Sequence, residues 1–211
     1  MSNNARPRLL SIAMATALAA LAAGATGVEA ASGRAGSNDL MFGVGSLSDD
    51  EAQIDPGFVL EQEQGNTFAL KWRLHFTDFI ALETDLTYES GRANFIEDGV
   101  ELDSADTDTT FFMIGAVFNL TRTMVSPYVS AGFGSYGHNS SGLLFPSGQG
   151  GFVVVDIEED GGLFTAAAGV DGRTAGPLIW LFEARYLDYS FDNFDDDWGR
   201  LLYTGYIGLS F

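Results

Sequence analysis

Phe68-Ala69-Leu70-Lys71-Trp72-Arg73-Leu74-His75-Phe76-Thr77-Asp78 decides the fold, because apolar and ionic side chains alternate along it residue by residue. Phe68, Leu70, Trp72, Leu74 and Phe76 fall on one side of an extended chain, and Lys71, Arg73 and His75 on the other. Thr77-Asp78 then makes a short turn, and the alternation resumes with Ile80, Leu82, Leu86 and Tyr88 against Glu83, Asp85 and Glu89. The pair is a hairpin with one greasy and one ionic face.

Outward from this hairpin the same period predicts eight strands, near 39–47, 66–77, 79–92, 108–121, 125–137, 161–174, 177–191 and 199–211. Strands of soluble sheets average about five or six residues, whereas a tilted strand crossing a membrane needs roughly nine to eleven, and these runs are of the second kind. Long connections at 48–65, 93–107 and 138–160, with an intermediate one at 191–198, alternate with short ones at 77–78, 122–124 and 174–177. The expected fold is all-β: an eight-stranded antiparallel transmembrane barrel with up-and-down topology, short turns and both termini in the periplasm, and long connections outside. A soluble eight-stranded barrel would bury its apolar side chains inward. Here the ionic residues lie opposite Trp72, so the lumen is polar and the outside meets lipid.

Composition narrows the function. With 46% apolar and 18% charged residues in a chain of 211, a disordered tail is excluded. The absence of cysteine removes disulfides, thiolate metal sites and thiol nucleophiles. Ten Lys+Arg against 29 Asp+Glu give a net charge of −19, which opposes nucleic acid as a partner. Arg6 and Arg8 precede the Ala-rich apolar run 9–28, which ends in Val28-Glu29-Ala30, so residues 1–30 are expected to be a cleaved secretory signal and 31–211 the barrel domain.

Pro127-Tyr128-Val129-Ser130-Ala131-Gly132-Phe133-Gly134 and Phe182-Glu183-Ala184-Arg185-Tyr186-Leu187-Asp188-Tyr189 resemble the fifth and seventh strands of the OmpA-like/opacity-protein group of eight-stranded outer-membrane barrels. In the last strand Tyr203, Ile207, Leu209 and Phe211 share one face and the chain ends on the aromatic residue, which resembles the outer-membrane assembly signal. The resemblance implies a bacterial outer-membrane location, membrane lipid and lipopolysaccharide as surroundings, and the barrel-assembly machinery as reader of the terminal strand. Such motifs specify a fold rather than an activity; the expected role is non-catalytic, in envelope integrity or surface interaction, with a porin-like barrel and no cofactor. The peptidoglycan-binding domain of the OmpA type is not carried over.

On this register the lumen receives Lys71, Arg73, His75, Glu83, Asp85, Glu89, Asp171, Arg173, Glu183 and Arg185, with the small residues Ser130, Gly132, Gly134, Ala167 and Gly169. Eight strands enclose a space that side chains fill. Crossed ion pairs that fix the register are therefore the leading expectation, and a narrow gated channel or a proton path through His75 the alternative. The run 111–120 is apolar on both faces and offers Met113 and Val117 as a plug.

Twenty of the 28 acids after residue 30 lie in 48–65, 93–108, 138–160 and 191–198, without Lys or Arg. A solvated acidic rim is expected, with Asp195-Asp196-Asp197 as a possible divalent-cation site, although no calcium-loop motif is present. His138-Asn139-Ser140, followed by Asp156, Glu158 and Glu159, shares the His-x-Ser pair of a lipid A deacylase group and keeps a lipid-modifying enzyme as an alternative. Trp72, Trp180, Trp198, Tyr128, Tyr136, Tyr186 and Tyr203 are read mostly as lipid-interface girdles, and 148–151 as a glycine-rich loop tip.

Overall fold

The computed structural model describes residues 33–211 except 56–57, 98, 148–150 and 191–196. Its strands are β1 (Asn38–Leu47), β2 (Asp50–Asp55), β3 (Phe58–Gln62), β4 (Gly65–His75), β5 (Ile80–Glu97), β6 (Val100–Asn119), β7 (Val125–Ser147), β8 (Gly151–Arg173), β9 (Leu178–Ser190) and β10 (Asp197–Ser210). Eight of them, β1 and β4 to β10, close a ring of antiparallel neighbours in which β5 pairs with β6 and β1 with β10. The hairpin β2–β3 stands outside the ring and adds to the far end of β5, Phe58–Gln62 against Ala93–Glu97.

The stagger of the ring follows from its registers. Gly208 faces Met41, and the partners continue through Lys71, Asp85, Met113, Gly134, Leu163 and Tyr189 to Trp198, ten residues from the start. Ten residues of about 3.3 Å rise, set against eight spacings of about 4.8 Å, tilt the strands by about 40°, the tilt of a small closed barrel.

Burial alternates with the pleat. In β4 Ala69, Lys71, Arg73 and His75 are buried, while Phe68 and Leu70 are exposed. Outward Phe68, Tyr88, Phe112, Phe133, Phe164 and Tyr203 supply one exposed aromatic on each of six strands, and the tilt brings them to one height as an upper girdle. Phe76, Phe79, Phe118 and Phe211 lie exposed near the short-connection end. Between the two levels the outer face is apolar, with Phe42, Val44, Leu86, Phe182 and Ile207 exposed.

Three expectations are corrected. Tyr128 and Tyr136 are not girdle residues: both point inward and are buried, because they share the parity of Ser130 and Gly134. Each fills room left by a glycine on the next strand, Tyr128 beside Gly169 and Tyr136 beside Gly161. The connections expected at 93–107 and 138–160 are largely strand. β5 and β6 extend to a tight turn at Gly99 (φ 80°), and β7 and β8 pair up to Ser147↔Gly151. A bulge between Ser140 and Leu143 carries Gly142 at φ 87°, where a side chain would be strained, and the Gly142 amide donates to the Asp156 carboxylate at 3.0 Å. The expected loop 48–65 likewise holds β2 and β3.

Candidate functional site: the ionic lumen

From the short-connection end upward, the interior is layered. At the lower mouth Arg173 donates to Asp39 (2.5 Å) and Ser210 (2.8 Å), and His75 Nε2 lies 2.8 Å from Asp39. Arg34, which precedes β1, reaches Asp171 at 2.5 Å. Above them Lys71 Nζ donates to both oxygens of Glu183 (2.9 and 2.8 Å) and lies 3.2 Å from Asp85 and 3.4 Å from Glu83. Arg73 donates to Glu83 at 2.6 Å and Asp171 at 3.3 Å, and Arg185 to Glu183 at 2.8 Å and to Glu83. Two phenols complete the set, Tyr128 donating to Glu183 (2.5 Å) and Tyr206 to Asp85 (2.9 Å). Their rings also receive Arg73 at 4.5 Å and Lys71 at 4.4 Å.

An apolar layer follows. Leu47, Phe111, Met113, Tyr136, Leu163, Leu187, Tyr189 and Leu202 form one buried cluster across the lumen. Phe111 and Tyr136 both meet the Tyr189 ring, with centroids 5.7 and 4.9 Å apart. On its upper side Arg200 pairs with Glu89 at 3.0 Å.

These pairs balance. Arg34, Lys71, Arg73, Arg173, Arg185 and Arg200 are six of the eight bases after residue 30, and they face the six acids Asp39, Glu83, Asp85, Glu89, Asp171 and Glu183. Charges moved out of water require such partners. The lumen is formally neutral, so the net charge lies outside it.

Sequence reasoning did not single out Arg34, Asp39, Arg200 and Tyr206. Arg200 and Tyr206 share the inward parity of Thr204 and Asp39 that of Met41, so alternation carried through the first and last strands would have found three of the four. Arg34 lies outside any strand and carries no periodic signal.

This closed, staggered ring with polar interior and aromatic-bordered exterior is similar to several solved structures. Ail, the attachment invasion locus protein of Yersinia pestis, solved with the heparin analogue sucrose octasulfate, is 17% identical, with 84% of this chain and 99% of that chain covered and a TM-score of 0.53. Neisserial surface protein A is 11% identical over 84% and 98%, with a TM-score of 0.59. The outer membrane protein OprG from Pseudomonas aeruginosa is 11% identical over 83% and 95%, with a TM-score of 0.58.

The fold is that of an eight-stranded outer-membrane barrel.

No protein-family model matches the chain, and no curated protein sequence matches it. At these identities the likeness is one of fold.

Within the outer-membrane barrel, His138 and Ser140 occupy inward positions of β7 above the apolar layer, and both are buried. His138 Nδ1 hydrogen-bonds the Thr109 hydroxyl at 2.9 Å, and Ser140 Oγ has no hydrogen-bond partner among the described residues. A serine nucleophile needs a base within reach and an open approach for its substrate. Tyr203, Ile207, Leu209 and Phe211 are exposed on the outer face of the last strand. The side chains of Asp195, Asp196 and Asp197 lie outside the described residues, as does the segment 1–30. Among the described residues no group of three metal-ligating side chains occurs.

His138 lies beyond the upper girdle, and its ionisation is set locally. Burial, helped by the Arg200 charge and opposed by Asp108, pushes it from 6.5 down to about 4. The unfolded chain therefore binds a proton near pH 6.5 that the folded barrel refuses until about pH 4. Stability contributed at neutral pH is lost as the pH falls through that window, by up to about 3 kcal/mol from this group alone. Urea midpoints at pH 7.5 and 4.5 are expected to fall further for the wild type than for His138→Gln. Equal falls would show that His138 does not titrate in this way.

Proposed function

We propose that this barrel is a non-catalytic outer-membrane protein with a structural and surface-interaction role, whose long-connection end faces outward and engages cationic partners. The observation that carries the reading is the placement of charge. Of the 28 acids after residue 30, six are in the lumen and Asp78 is at the short-connection end, paired with Arg122 at 3.7 Å. The remaining 21 fall, by sequence, in or beside the long connections, where Arg92 is the sole base. The whole net charge of −20 for residues 31–211 therefore belongs to one end, a field of several kT that draws cations and steers their encounter. The same end carries backbone for contact. Among the described residues the β7–β8 ribbon beyond Thr107↔Ser140 and Leu163↔Tyr189 pairs only with itself, leaving strand edges of the kind other chains can extend.

A fluorescent decalysine peptide and the protein in phosphatidylcholine vesicles test this reading. Binding above that of empty vesicles is expected, weakening roughly tenfold between about 50 and 200 mM salt as screening grows. The combined change Asp103→Asn, Asp106→Asn and Asp108→Asn should weaken it severalfold at low salt. Binding no greater than that of empty vesicles would overturn the proposal.

The rim would stand beside lipopolysaccharide phosphates, and divalent cations are the natural bridge between the two sets of anions. Asp195, Asp196 and Asp197 are the proposed ligands. Millimolar Ca²⁺ should raise the unfolding temperature of the barrel, and Asp195→Asn with Asp196→Asn should abolish the rise. No rise in the wild type would end the idea.

Both competing readings are weaker on specific grounds. A channel through the ionic lumen would have to pass the layer of Phe111, Met113, Leu187 and Leu202, all buried. A lipid-modifying enzyme would need His138 and Ser140 to meet acyl chains at the outer face, and both point into the barrel.

A further inference from the structure

Arg34 is completely buried although it belongs to no strand, so its burial is not a by-product of the pleat. Its partners come from three segments, far apart in sequence, at the lower edge of the ring. The guanidinium donates to Asp171 on β8 at 2.5 Å and to the carbonyls of Thr121 (3.2 Å) and Thr123 (3.4 Å) in the β6–β7 connection. Its amide donates to the Asp78 carboxylate in the β4–β5 connection at 2.9 Å. The residues that follow are fixed as well: Gly36, at φ 81°, donates its amide to the His75 carbonyl at 2.8 Å, and Ser37 Oγ donates to the Arg34 carbonyl at 2.7 Å. The chain therefore turns beneath the barrel before entering β1, and Asp171 joins this turn to the central network through Arg73.

We infer that residues 33–37 form a stopper that closes the lower mouth of the barrel, with Arg34 as its latch. The polar groups at that mouth are almost wholly withdrawn from solvent, His75 at 1% exposure, Asp39 at 2%, Asn119 at 3% and Asp171 at 5%. The stopper supplies the floor and the apolar layer supplies the ceiling. Between the two, the ionic network occupies a compartment shut at both ends. A guanidinium suits the latch because its planar fork donates in several directions while remaining charged, which an ammonium cannot match.

The absence of cysteine makes the test clean, since a single added thiol is the only one present. Ala81, inward and buried beside His75, is replaced by Cys, and labelling by a charged maleimide is followed on the folded band of unheated gels. Slow labelling is expected in the otherwise unaltered barrel. Arg34→Ala should accelerate it at least tenfold, and Arg34→Lys by less. Asp78→Asn, which loosens the Arg34 amide without touching the lumen, should accelerate it severalfold and serves if Arg34→Ala does not fold. Unchanged rates in every variant that folds would overturn the stopper.

Discussion

Glu83→Gln is expected to destabilise the barrel by about 3–5 kcal/mol, the usual cost of removing one member of a buried ionic network. Glu83 accepts from Arg73 at 2.6 Å and from Arg185, and lies 3.4 Å from Lys71, so three buried cations lose a shared anion at once. Glu183, Asp85 and Asp171 remain, but each is already engaged, with Arg185, Lys71 and Arg34 respectively. Urea unfolding in detergent micelles, followed by tryptophan fluorescence, measures the effect. A loss under about 1 kcal/mol, the value for an exposed pair, would mean that water enters the network. Exchanging Arg92, an exposed base 3.9 Å from Asp106, for Gln is the contrasting control and should cost almost nothing.

Gly134→Val is expected to abolish folding, with no heat-dependent change in gel migration. A Cβ at Gly134 would overlap the carbonyl oxygen of Phe112 and sit 2.9 Å from the Met113 Cα, so the obstacle is main chain of the neighbouring strand and cannot rotate away. Gly132, two residues earlier, stands in the same relation to the carbonyl of Ile114, so β6 and β7 approach closely along a stretch rather than at a point. At Gly137 on the same strand nothing lies within 4 Å of the added atom, and Gly137→Ala should fold normally. A folded Gly134→Val barrel would show that the β6–β7 ladder can open there at little cost.

Strand periodicity was legible wherever both faces had distinct surroundings. In β4 and β5 lipid on one side and ion pairs on the other write a sharp alternation, so parity places Lys71, Arg73, Glu83 and Asp85 together on the face that is buried. Parity weakens where both sides of a strand are apolar, as in Phe111–Leu120, where the buried Phe111, Met113 and Val117 alternate with the exposed Phe112 and Phe118. Beyond the girdle it fails for the opposite reason. Residues such as Glu101, Asp103, Asp106, Glu158 and Asp160 suggest loop because carboxylates are uncommon in strands, yet a hairpin standing in water keeps its ladder with solvated side chains on either face. Tyr128 was misplaced by residue type overriding parity: tyrosine suggests an interface, but the Glu183 carboxylate inside gives its hydroxyl a partner. Arg34 is invisible to any periodic argument because its position depends on three distant segments at once.

The pairing of β1 with β10 governs how the molecule can come into being. Asn38 and Phe211 exchange backbone hydrogen bonds at 2.8 Å in both directions, so the seam joins the first strand of the ring to its last. No partial chain can satisfy β1 on that side, and every shorter product leaves two bare strand edges competing for any passing polypeptide. Closure is thus a contact of long sequence separation, a slow kind of step, and it must wait until β10 has been delivered. Growth from the N-terminus therefore cannot lock the ring strand by strand, and its stability arrives only with the seam.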